Sequence, residues 1–188
     1  MARRGPGNRG LSKQITHMIL DLFLDDNYDE TVINTERLTL RLLKDEDAQD
    51  IFEIRGDGAI ACDAGVPCMN SIEDAKRYIK TWCEDSVAIV LGEEVIGLIE
   101  SYVDSELIFD STFLGYYTKR QYQGKGYMTE ALTALKSKLI EHGETDLMLW
   151  IFPGNTASEK VAKKCGFSFL CGHVVDIGGY NQYVEFYG

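Results

Sequence analysis

A glutamine and two glycines have the spacing of an anion-binding turn, Gln121-x-x-Gly124-x-Gly126. A β-rich aromatic stretch that begins at Gly115 precedes this run, and a stretch with apolar residues at helical spacing follows it as far as His142. Glycine lets the backbone turn tightly and approach a bound group, and the first N–H groups of the following helix lack intrahelical partners. The stretch therefore predicts a strand, a turn and a helix that bind a phosphorylated ligand.

The residues after the turn disfavour two other nucleotide-binding motifs. A Walker loop needs lysine and then serine or threonine to hold a γ-phosphate and magnesium, but Gly126 is followed by Tyr127 and Met128. A dinucleotide-binding fingerprint needs a third glycine, and Thr129 stands at that position. A phosphorylated ligand of another kind is therefore favoured.

The remaining pattern resembles the GNAT superfamily of acyl-CoA-dependent N-acetyltransferases. The likeness is closest to the branch that includes the ribosomal-protein N-terminal alanine acetyltransferases, and it covers roughly residues 34 to 187. Besides the turn, the stretches that carry it are Thr35–Leu42, Val95–Gly97, Leu114–Tyr117, Asn155–Ser158 and Lys164–Phe169. The resemblance implies an α/β (α+β) fold with a mixed, mostly antiparallel sheet of about seven strands, flanked by helices, in which two neighbouring parallel strands splay apart.

The resemblance also implies that acetyl-CoA is the cosubstrate and that no metal is needed. The pantetheine arm would enter the splay between the strand that ends near Thr118 and the strand that ends near Phe152, where its amides can pair with strand-edge backbone. The turn would hold the pyrophosphate. We expect these residues to bind the cosubstrate: Tyr117, Thr118, Gln121, Tyr122, Gln123, Gly124, Lys125, Gly126, Tyr127, Asn155 and Ser158. An alternative for Asn155 is a helix N-cap, and the two roles are compatible.

The resemblance bears on the candidate acid, and the strand pattern supplies the candidate bases. Many family members have a tyrosine seven residues after the helix-opening asparagine, but this chain has Ala162 there, so a mechanism with that tyrosine as the acid does not carry over. Ser158 matches a serine that the ribosomal-protein branch places near the CoA sulfur, and the hypothesis is that it hydrogen-bonds the leaving thiolate. Glu100 and Asp104 are candidate bases. The alternatives are an ordinary first-turn serine and a Glu100 on a solvated strand face.

Hydrophobic periodicity predicts the elements that must position these residues. Helices are predicted at residues 45–55, 71–84, from the turn to 142, and at 155–165; an amphipathic helix from Leu11 to Leu24 precedes them. The predicted strands are 38–42, 87–91, 95–103, 107–118, 147–152, 167–171 and 180–187. Residues 56–70 are predicted to be a loop. By the resemblance this loop forms part of the acceptor pocket, with Cys62, Asp63 and Cys68 as candidate pocket residues.

Length and composition indicate one domain. A chain of 188 residues with 45% hydrophobic residues can bury a sizeable core. We expect a basic leader and the amphipathic helix over residues 1–33 and a single acetyltransferase-like domain over 34–188. The helix is expected to pack on its own domain or on a second subunit, so both a monomer and a homodimer are open.

Charge and cysteine usage limit the partners and the compartment. A net charge of −11 and a pI near 4.7 argue against general nucleic-acid binding and suit a cationic acceptor. Apolar runs are too short for a membrane span. Five cysteines without a C-x-x-C pair predict free thiols in a reducing cytoplasm.

Together these observations predict a cytoplasmic acetyl-CoA-dependent N-acetyltransferase that uses direct transfer to a primary amine. A protein N-terminus is the first expectation for the acceptor, and a polyamine or aminoglycoside-like amine is the alternative. An acyl-CoA-binding sensor module without turnover also stays open, because the usual tyrosine is absent at Ala162. A nucleotide-binding protein of another family is less favoured.

Overall fold

The computed structural model describes residues 18–23, 32–103, 109 and 111–188. Its centre is a mixed sheet with the strand order β1-β2-β3-β4-β5-β6-β8-β7. In chain order the strands are β1 (Ile33–Asn34), β2 (Thr39–Leu42), β3 (Ser86–Leu91), β4 (Glu94–Val103), β5 (Thr112–Thr118), β6 (Leu147–Ile151), β7 (Phe169–Ile177) and β8 (Tyr180–Tyr187). Every neighbouring pair is antiparallel except β5 and β6.

Helices cover both faces of the sheet. They are α1 (Met18–Phe23), α2 (Ala48–Arg55), α3 (Gly58–Asp63), α4 (Ile72–Trp82), α5 (Tyr127–Glu141) and α6 (Thr156–Lys164). On one face α1, α5 and α6 share a buried core that includes Ile19, Leu132 and Ala162. On the other face α2, α3 and α4 share a core that includes Ile51 and Ile79. No helix among the described residues is both long and apolar enough to cross a membrane.

The two parallel strands separate soon after they begin. Thr112 pairs with Leu147 and Phe113 pairs with Met148, and no further pair joins β5 to β6. Beyond this point β5 stays paired with β4 through Thr118, while β6 pairs with β8 as far as Ile151. The sheet is therefore split between the carboxyl ends of β5 and β6, which confirms the predicted splay.

The structure corrects two predictions of local structure. The predicted loop at residues 56–70 contains α3, which starts where Asp57 accepts hydrogen bonds from the N–H groups of Ala59 and Ile60 at 2.9 and 3.3 Å. The eight strands agree with the expected sheet of about seven, and the additional strand β1 is too short to show periodicity. Strand β7 continues to Ile177, well past the predicted end at 171, and its exposed edge position hides the alternation that periodicity needs.

The N-terminal helix predicted from Leu11 to Leu24 is described only as α1. Its Ile19, Leu22 and Phe23 are buried in the core shared with α5. The rest of that prediction lies outside the described residues, and the boundary between residues 33 and 34 stays a prediction.

Candidate active site

The predicted turn joins β5 to α5 as one tight unit. After Thr118 the chain forms a single 3-10 turn, and Gly124 and Gly126 then have φ values of +72° and +84°, a region that favours glycine. The Gln123 side chain donates to the Thr118 carbonyl at 3.0 Å and closes the turn. Gly126 is the N-cap of α5 and has no side chain to cap it, so the first N–H groups of this long helix are available to an anion.

Arg37, in the segment between β1 and β2, holds the end of the turn in place. Its backbone N–H and its Nε donate to the two carboxylate oxygens of Glu130 at 2.9 and 2.7 Å, and its Nη1 donates to the Lys125 carbonyl at 3.2 Å. The guanidinium carbon lies 4.4 Å from the centre of the Tyr127 ring. Burial alone would raise the pKa of Glu130, but donors from Thr35 and Arg37 lower it. Glu130 therefore stays charged and holds Arg37 against the turn.

A buried lysine fixes the start of the turn. The Lys119 ammonium lies 2.6, 2.8 and 2.9 Å from carboxylate oxygens of Asp50, Glu53 and Glu94, and its side chain is 4% exposed. Burial alone would lower the pKa of Lys119, but these three partners outweigh it and raise the pKa. The Tyr122 hydroxyl also donates to Glu94 at 2.5 Å. The three carboxylates lie close enough together to share a cation, and the lysine ammonium already supplies one.

The two basic residues beside the turn differ in their surroundings. Arg120 forms a bidentate ion pair with Asp57: its Nε and Nη2 donate to the two carboxylate oxygens of Asp57 at 2.5 and 2.7 Å. This hydrogen bonding lowers the pKa of Asp57 to about 2. The Lys125 ammonium lies 5.4 Å from the centre of the Tyr122 ring and its residue is exposed. The charge of Arg120 is thus balanced within the protein, whereas Lys125 points its charge toward solvent beside the turn.

The inner edge of β5 faces the split. The Thr112 N–H donates to the Asp146 carbonyl on the β6 side at 3.0 Å. Because main-chain groups alternate in direction along a strand, the N–H groups of Leu114 and Tyr116 point toward the same side, where β6 has moved away. The split therefore offers a length of strand edge that an extended ligand with amide groups can pair with.

Helix α6 begins at the other side of the split. The Asn155 Oδ1 accepts from the Ser158 N–H at 3.1 Å, so Asn155 is the N-cap of the helix, and its Nδ2 donates to the Asp63 carbonyl at 3.4 Å. The Tyr116 hydroxyl donates to the Ser158 carbonyl at 3.1 Å and connects β5 with α6 across the opening. Burial raises the pKa of Tyr116 well above its ordinary value. Asn155 and Ser158 thus lie where β6 leads into α6, next to the split.

Glu100 belongs to a buried network on the opposite face of the sheet. Its carboxylate pairs with Arg55 and accepts from the hydroxyls of Tyr78 and Tyr117 at 2.5 and 2.8 Å. Tyr78 also lies 3.1 Å from the Ser86 hydroxyl. Burial, followed by the charge of Glu100, raises the pKa of both tyrosines. The Nε of Arg55 is buried and has no hydrogen-bond partner in the described part of the chain. Glu100 therefore has three donors before any ligand arrives.

Aromatic side chains line this face beyond the network. Trp150 donates from Nε1 to the Tyr102 hydroxyl at 2.6 Å, and Tyr102 stacks on Phe113 with ring centres 5.8 Å apart. Phe152 meets Trp150 edge to face at 5.4 Å. A Cβ atom at Gly65 would come within 2.9 Å of both Trp150 and Phe152, so the segment after α3 packs directly on the end of β6. This packing places the predicted acceptor loop beside the split.

An open depression of about 490 Å³ continues from the turn along α5. Asn34 and Thr35 form one side, the α5 residues Thr129 and Thr133 form the floor, and Lys164 lies at the far end. It is contiguous with Gly126, and most of its lining surface is apolar although several of the side chains around it are polar.

The structure brings most of the predicted site residues together. Thr118 and residues 121–127 form the turn, while Asn155 and Ser158 lie across the split from β5. Tyr117 lies apart, because its backbone pairs with Leu98 and its hydroxyl belongs to the Glu100 network. Asp104 lies outside the described residues. The predicted roles of all these residues stay predictions.

Sequence reasoning missed three residues that shape the site: Arg37, Arg55 and Lys119. Arg37 lies within a stretch that carried the resemblance, so a signal for it existed. Arg55 and Lys119 act through partners distant in sequence, which no local pattern reveals.

A split, mostly antiparallel sheet with a glycine turn and a helix at the split defines a GNAT-type acetyltransferase fold. The family model for the acetyltransferase (GNAT) domain matches residues 37–168, and the chain therefore belongs to this acyltransferase family. The predicted family and fold are thus confirmed. Comparison with curated proteins gave no significant match.

Solved structures show the same fold at low sequence identity. A GNAT-family acetyltransferase from Bacillus anthracis superposes with a TM-score of 0.73 at 21% identity, covering 84% of this chain and 96% of that one. RimL, a ribosomal L7/L12 alpha-N-protein acetyltransferase in complex with coenzyme A, gives 0.71 at 17% identity with the same two coverages. The ribosomal-protein-S5-alanine acetyltransferase from Vibrio fischeri gives 0.68 at 20% identity, covering 84% of this chain and 94% of that one.

Proposed function

We propose that the protein transfers the acetyl group of acetyl-CoA to a primary amine, with a protein N-terminus as the acceptor. The observation that carries this proposal is the split between β5 and β6, with the glycine turn at one end and the start of α6 across it. An elongated ligand with a pyrophosphate, two amides and a reactive end fits these three features in that order.

The pieces of acetyl-CoA match separate parts of the site. The pyrophosphate binds the N–H groups of the turn and of the first residues of α5, with Lys125 as the nearby cation. The pantetheine amides pair with the β5 edge at Leu114 and Tyr116, where no strand of the described residues pairs with it. The nucleotide end lies in the depression beside Gly126.

The reaction needs a neutral amine and a stabilised thiolate. An α-amine with a pKa near 8 is about a tenth neutral at pH 7, whereas a lysine side chain with a pKa near 10.4 is below about 0.1% neutral. A chain terminus therefore needs less help from the enzyme to lose its proton. The amine nitrogen attacks the thioester carbon, the C–S bond breaks, and the surplus proton of the amine leaves through water. Ser158, held at its N–H by Asn155, donates a hydrogen bond to the departing thiolate.

We propose that Glu100 positions neighbouring side chains rather than acting as the general base. Its two oxygens accept three hydrogen bonds, one of them from a guanidinium that is always charged. A carboxylate engaged in this way orients its donors, so we assign Glu100 to holding Arg55, Tyr78 and Tyr117 in place as a wall of the acceptor side.

Two observations support a protein N-terminus as the acceptor. The similar structures include enzymes described as acting on the N-termini of ribosomal proteins. The net charge of −11 attracts a cationic acceptor such as an amine. Five unpaired cysteines fit the reducing cytoplasm, where such acceptors are made.

Two measurements test this function. Thermal shift with acetyl-CoA, ATP and NAD comes first: ligand at about 100 times its dissociation constant adds roughly 2.7 kcal/mol, or on the order of 5 to 10 °C, and we expect the rise with acetyl-CoA alone. Mass spectrometry then follows acetylation of matched peptides with free or blocked N-termini, beside spermidine and an aminoglycoside. Product from the free terminus alone supports the proposal.

Other outcomes identify the alternatives. Product from spermidine or the aminoglycoside alone would assign the protein to small-molecule acetylation. Binding of acetyl-CoA with no product from any amine would indicate a sensor module, which the alanine at position 162 makes worth testing.

A further inference from the structure

We propose that Tyr116 is a catalytic residue that donates a hydrogen bond to the departing CoA sulfur, from the strand side of the split. This inference rests on the proposed function. Tyr116 would be the second hydrogen-bond donor to the sulfur, in addition to Ser158. It assigns to a strand residue the part that a tyrosine on the helix plays in many members of the family.

The position of the Tyr116 phenol carries the argument. Its ring leaves β5 on the α5–α6 face, and its hydroxyl reaches the Ser158 carbonyl at 3.1 Å across the opening. In an α-helix the carbonyl of residue 158 points at the N–H of residue 162, and side chains tilt toward the helix N-terminus. A group that hydrogen-bonds to the Ser158 carbonyl therefore approaches α6 from the side on which Ala162 lies.

Ala162 is what makes this arrangement possible. It is fully buried and has only a methyl group, so a larger side chain from β5 can share the space on this side of the helix. A tyrosine at position 162 would direct its own ring into that space and compete with Tyr116. With alanine at position 162, the phenol of Tyr116 can occupy this space instead, and its hydroxyl bridges β5 and α6 next to the place where the thioester end is expected.

The hydroxyl can serve the sulfur without moving the ring. Rotation about the C–O bond turns its O–H from the Ser158 carbonyl to an atom in the split. In the transfer step the amine nitrogen bonds to the carbonyl carbon, the C–S bond breaks, and the bonding electron pair goes to sulfur. The amine loses its surplus proton to water. Because burial raises the pKa of Tyr116, the phenol keeps its proton and stabilises the thiolate as a donor.

The acidity of bound CoA gives a test that needs no acceptor. Free CoA is titrated on the wild type and on Tyr116→Phe by the ultraviolet absorbance of its thiolate, with desulfo-CoA as the reference ligand. A hydrogen bond to a charged group is worth about 1.5–3 kcal/mol, so we expect the thiol pKa of bound CoA to be about one to two units lower on the wild type. Loss of ring packing alone would not move this pKa.

Kinetics provide the second measurement. Tyr116→Phe should lower kcat about 10- to 100-fold and leave KM for acetyl-CoA within about twofold, because the hydrogen bond forms as charge develops on sulfur. Tyr183→Phe removes a half-exposed hydroxyl on β8 and is the matched control, with kcat unchanged. Thermal unfolding of each variant verifies that the fold is intact.

The outcomes separate this inference from the function on which it rests. A wild type that binds no CoA would overturn the proposed function and this inference together. A wild type that binds CoA, with the same bound-thiol pKa and the same kcat in Tyr116→Phe, would overturn the role of Tyr116 alone.

Discussion

The ammonium nitrogen of Lys119 lies 2.6 Å from a carboxylate oxygen of Asp50, directly before the turn that we assign to the pyrophosphate. Glu53 and Glu94 complete a set of three carboxylates around the same nitrogen. The lysine thus joins the end of β5 to α2 and to the start of β4. The turn begins from a point that three elements hold together.

Replacing this lysine should destabilise the whole domain. Lys119→Met leaves three carboxylates facing one another without a cation. Because these carboxylates are about a quarter to a half exposed, we expect the unfolding free energy to fall by about 2 kcal/mol rather than by the 3–5 kcal/mol of a fully buried pair. The melting midpoint should fall by about 4–8 °C. Urea unfolding measures the difference. Lys163→Met, which breaks an exposed helix pair with Glu159, should change stability by less than about 0.5 kcal/mol. Equal losses in the two variants would contradict the prediction.

Periodicity and turn chemistry were sufficient to predict the elements around the turn. Leu132, Leu135 and Leu139 recur at helical spacing and are all fully buried on one face of α5. Ser71 was predicted to begin α4, and its hydroxyl accepts from the Asp74 N–H at 3.2 Å. In each case the signal and the structure that it produces lie within a few residues.

The rest depends on contacts between distant parts of the chain. Glu100 alternates correctly in an apolar strand, but its donors come from α2, α4 and β5, so its local sequence could not show that it is already engaged. Helix α3 was missed because six residues are too few for a 3.6-residue period to be recognised. The role that Tyr117 has in the Glu100 network is likewise decided by β-sheet pairing with Leu98, not by its nearness to the turn.

The second glycine of the turn should be essential for ligand binding. Gly126→Ala introduces a Cβ at a φ of +84°, which costs about 1–2 kcal/mol, and it narrows the space beside Arg37 at the helix N-terminus. We expect the dissociation constant of acetyl-CoA to rise at least about tenfold, as measured by calorimetry. Gly143→Ala is the matched control, since Gly143 has a φ of +97° with open space around it at the far end of α5. It should lose similar stability and bind acetyl-CoA normally; a weaker affinity there would contradict a local effect.

Arg37 should support the turn without contributing to the fold as a whole. Arg37→Gln removes the donor to the Lys125 carbonyl and the cation over Tyr127, so the turn loses its support from the β2 side. We expect a rise of about three- to tenfold in KM for acetyl-CoA and a change of about 1 kcal/mol or less in unfolding free energy, since Arg37 is 39% exposed. Arg77→Gln, at an exposed pair on α4, should leave KM unchanged. A loss of kcat with normal KM would be inconsistent with this role.

The Asp57–Arg120 pair should stabilise the protein in a pH-dependent way. The hydrogen bonds from Arg120 lower the pKa of Asp57 to about 2, so the pair contributes fully above the ordinary value of 3.8 and is lost as the pH falls toward 2. Asp57→Asn removes the charge but keeps a good helix cap for α3. The wild type should be more stable than the variant near neutral pH by only a small margin, because Arg120 is largely exposed. Urea midpoints measured from pH 6 downward should converge; a gap that persists would refute the assignment.

Glu100→Gln should act on stability more than on proton transfer. It leaves the buried Arg55 guanidinium without its counter-charge, and we expect a loss of about 3 kcal/mol in unfolding free energy. The pH dependence of kcat/KM, measured on the fraction that remains folded, should keep its shape. Disappearance of the ascending limb in the variant would restore Glu100 as the general base.

The short ladder between β5 and β6 also bears on how the domain comes apart. Two residue pairs alone connect the strands on either side, so this seam, like the equally short ladder between β1 and β2, can open at a low cost in hydrogen bonds. The segment from Leu147 onward, with β6, α6, β7 and β8, has its own antiparallel pairing, so beyond the seam the core that it shares with α5 holds it to the rest of the domain. A ligand that pairs with the strands on both sides of the seam would link them, and the domain would then unfold in a single cooperative step.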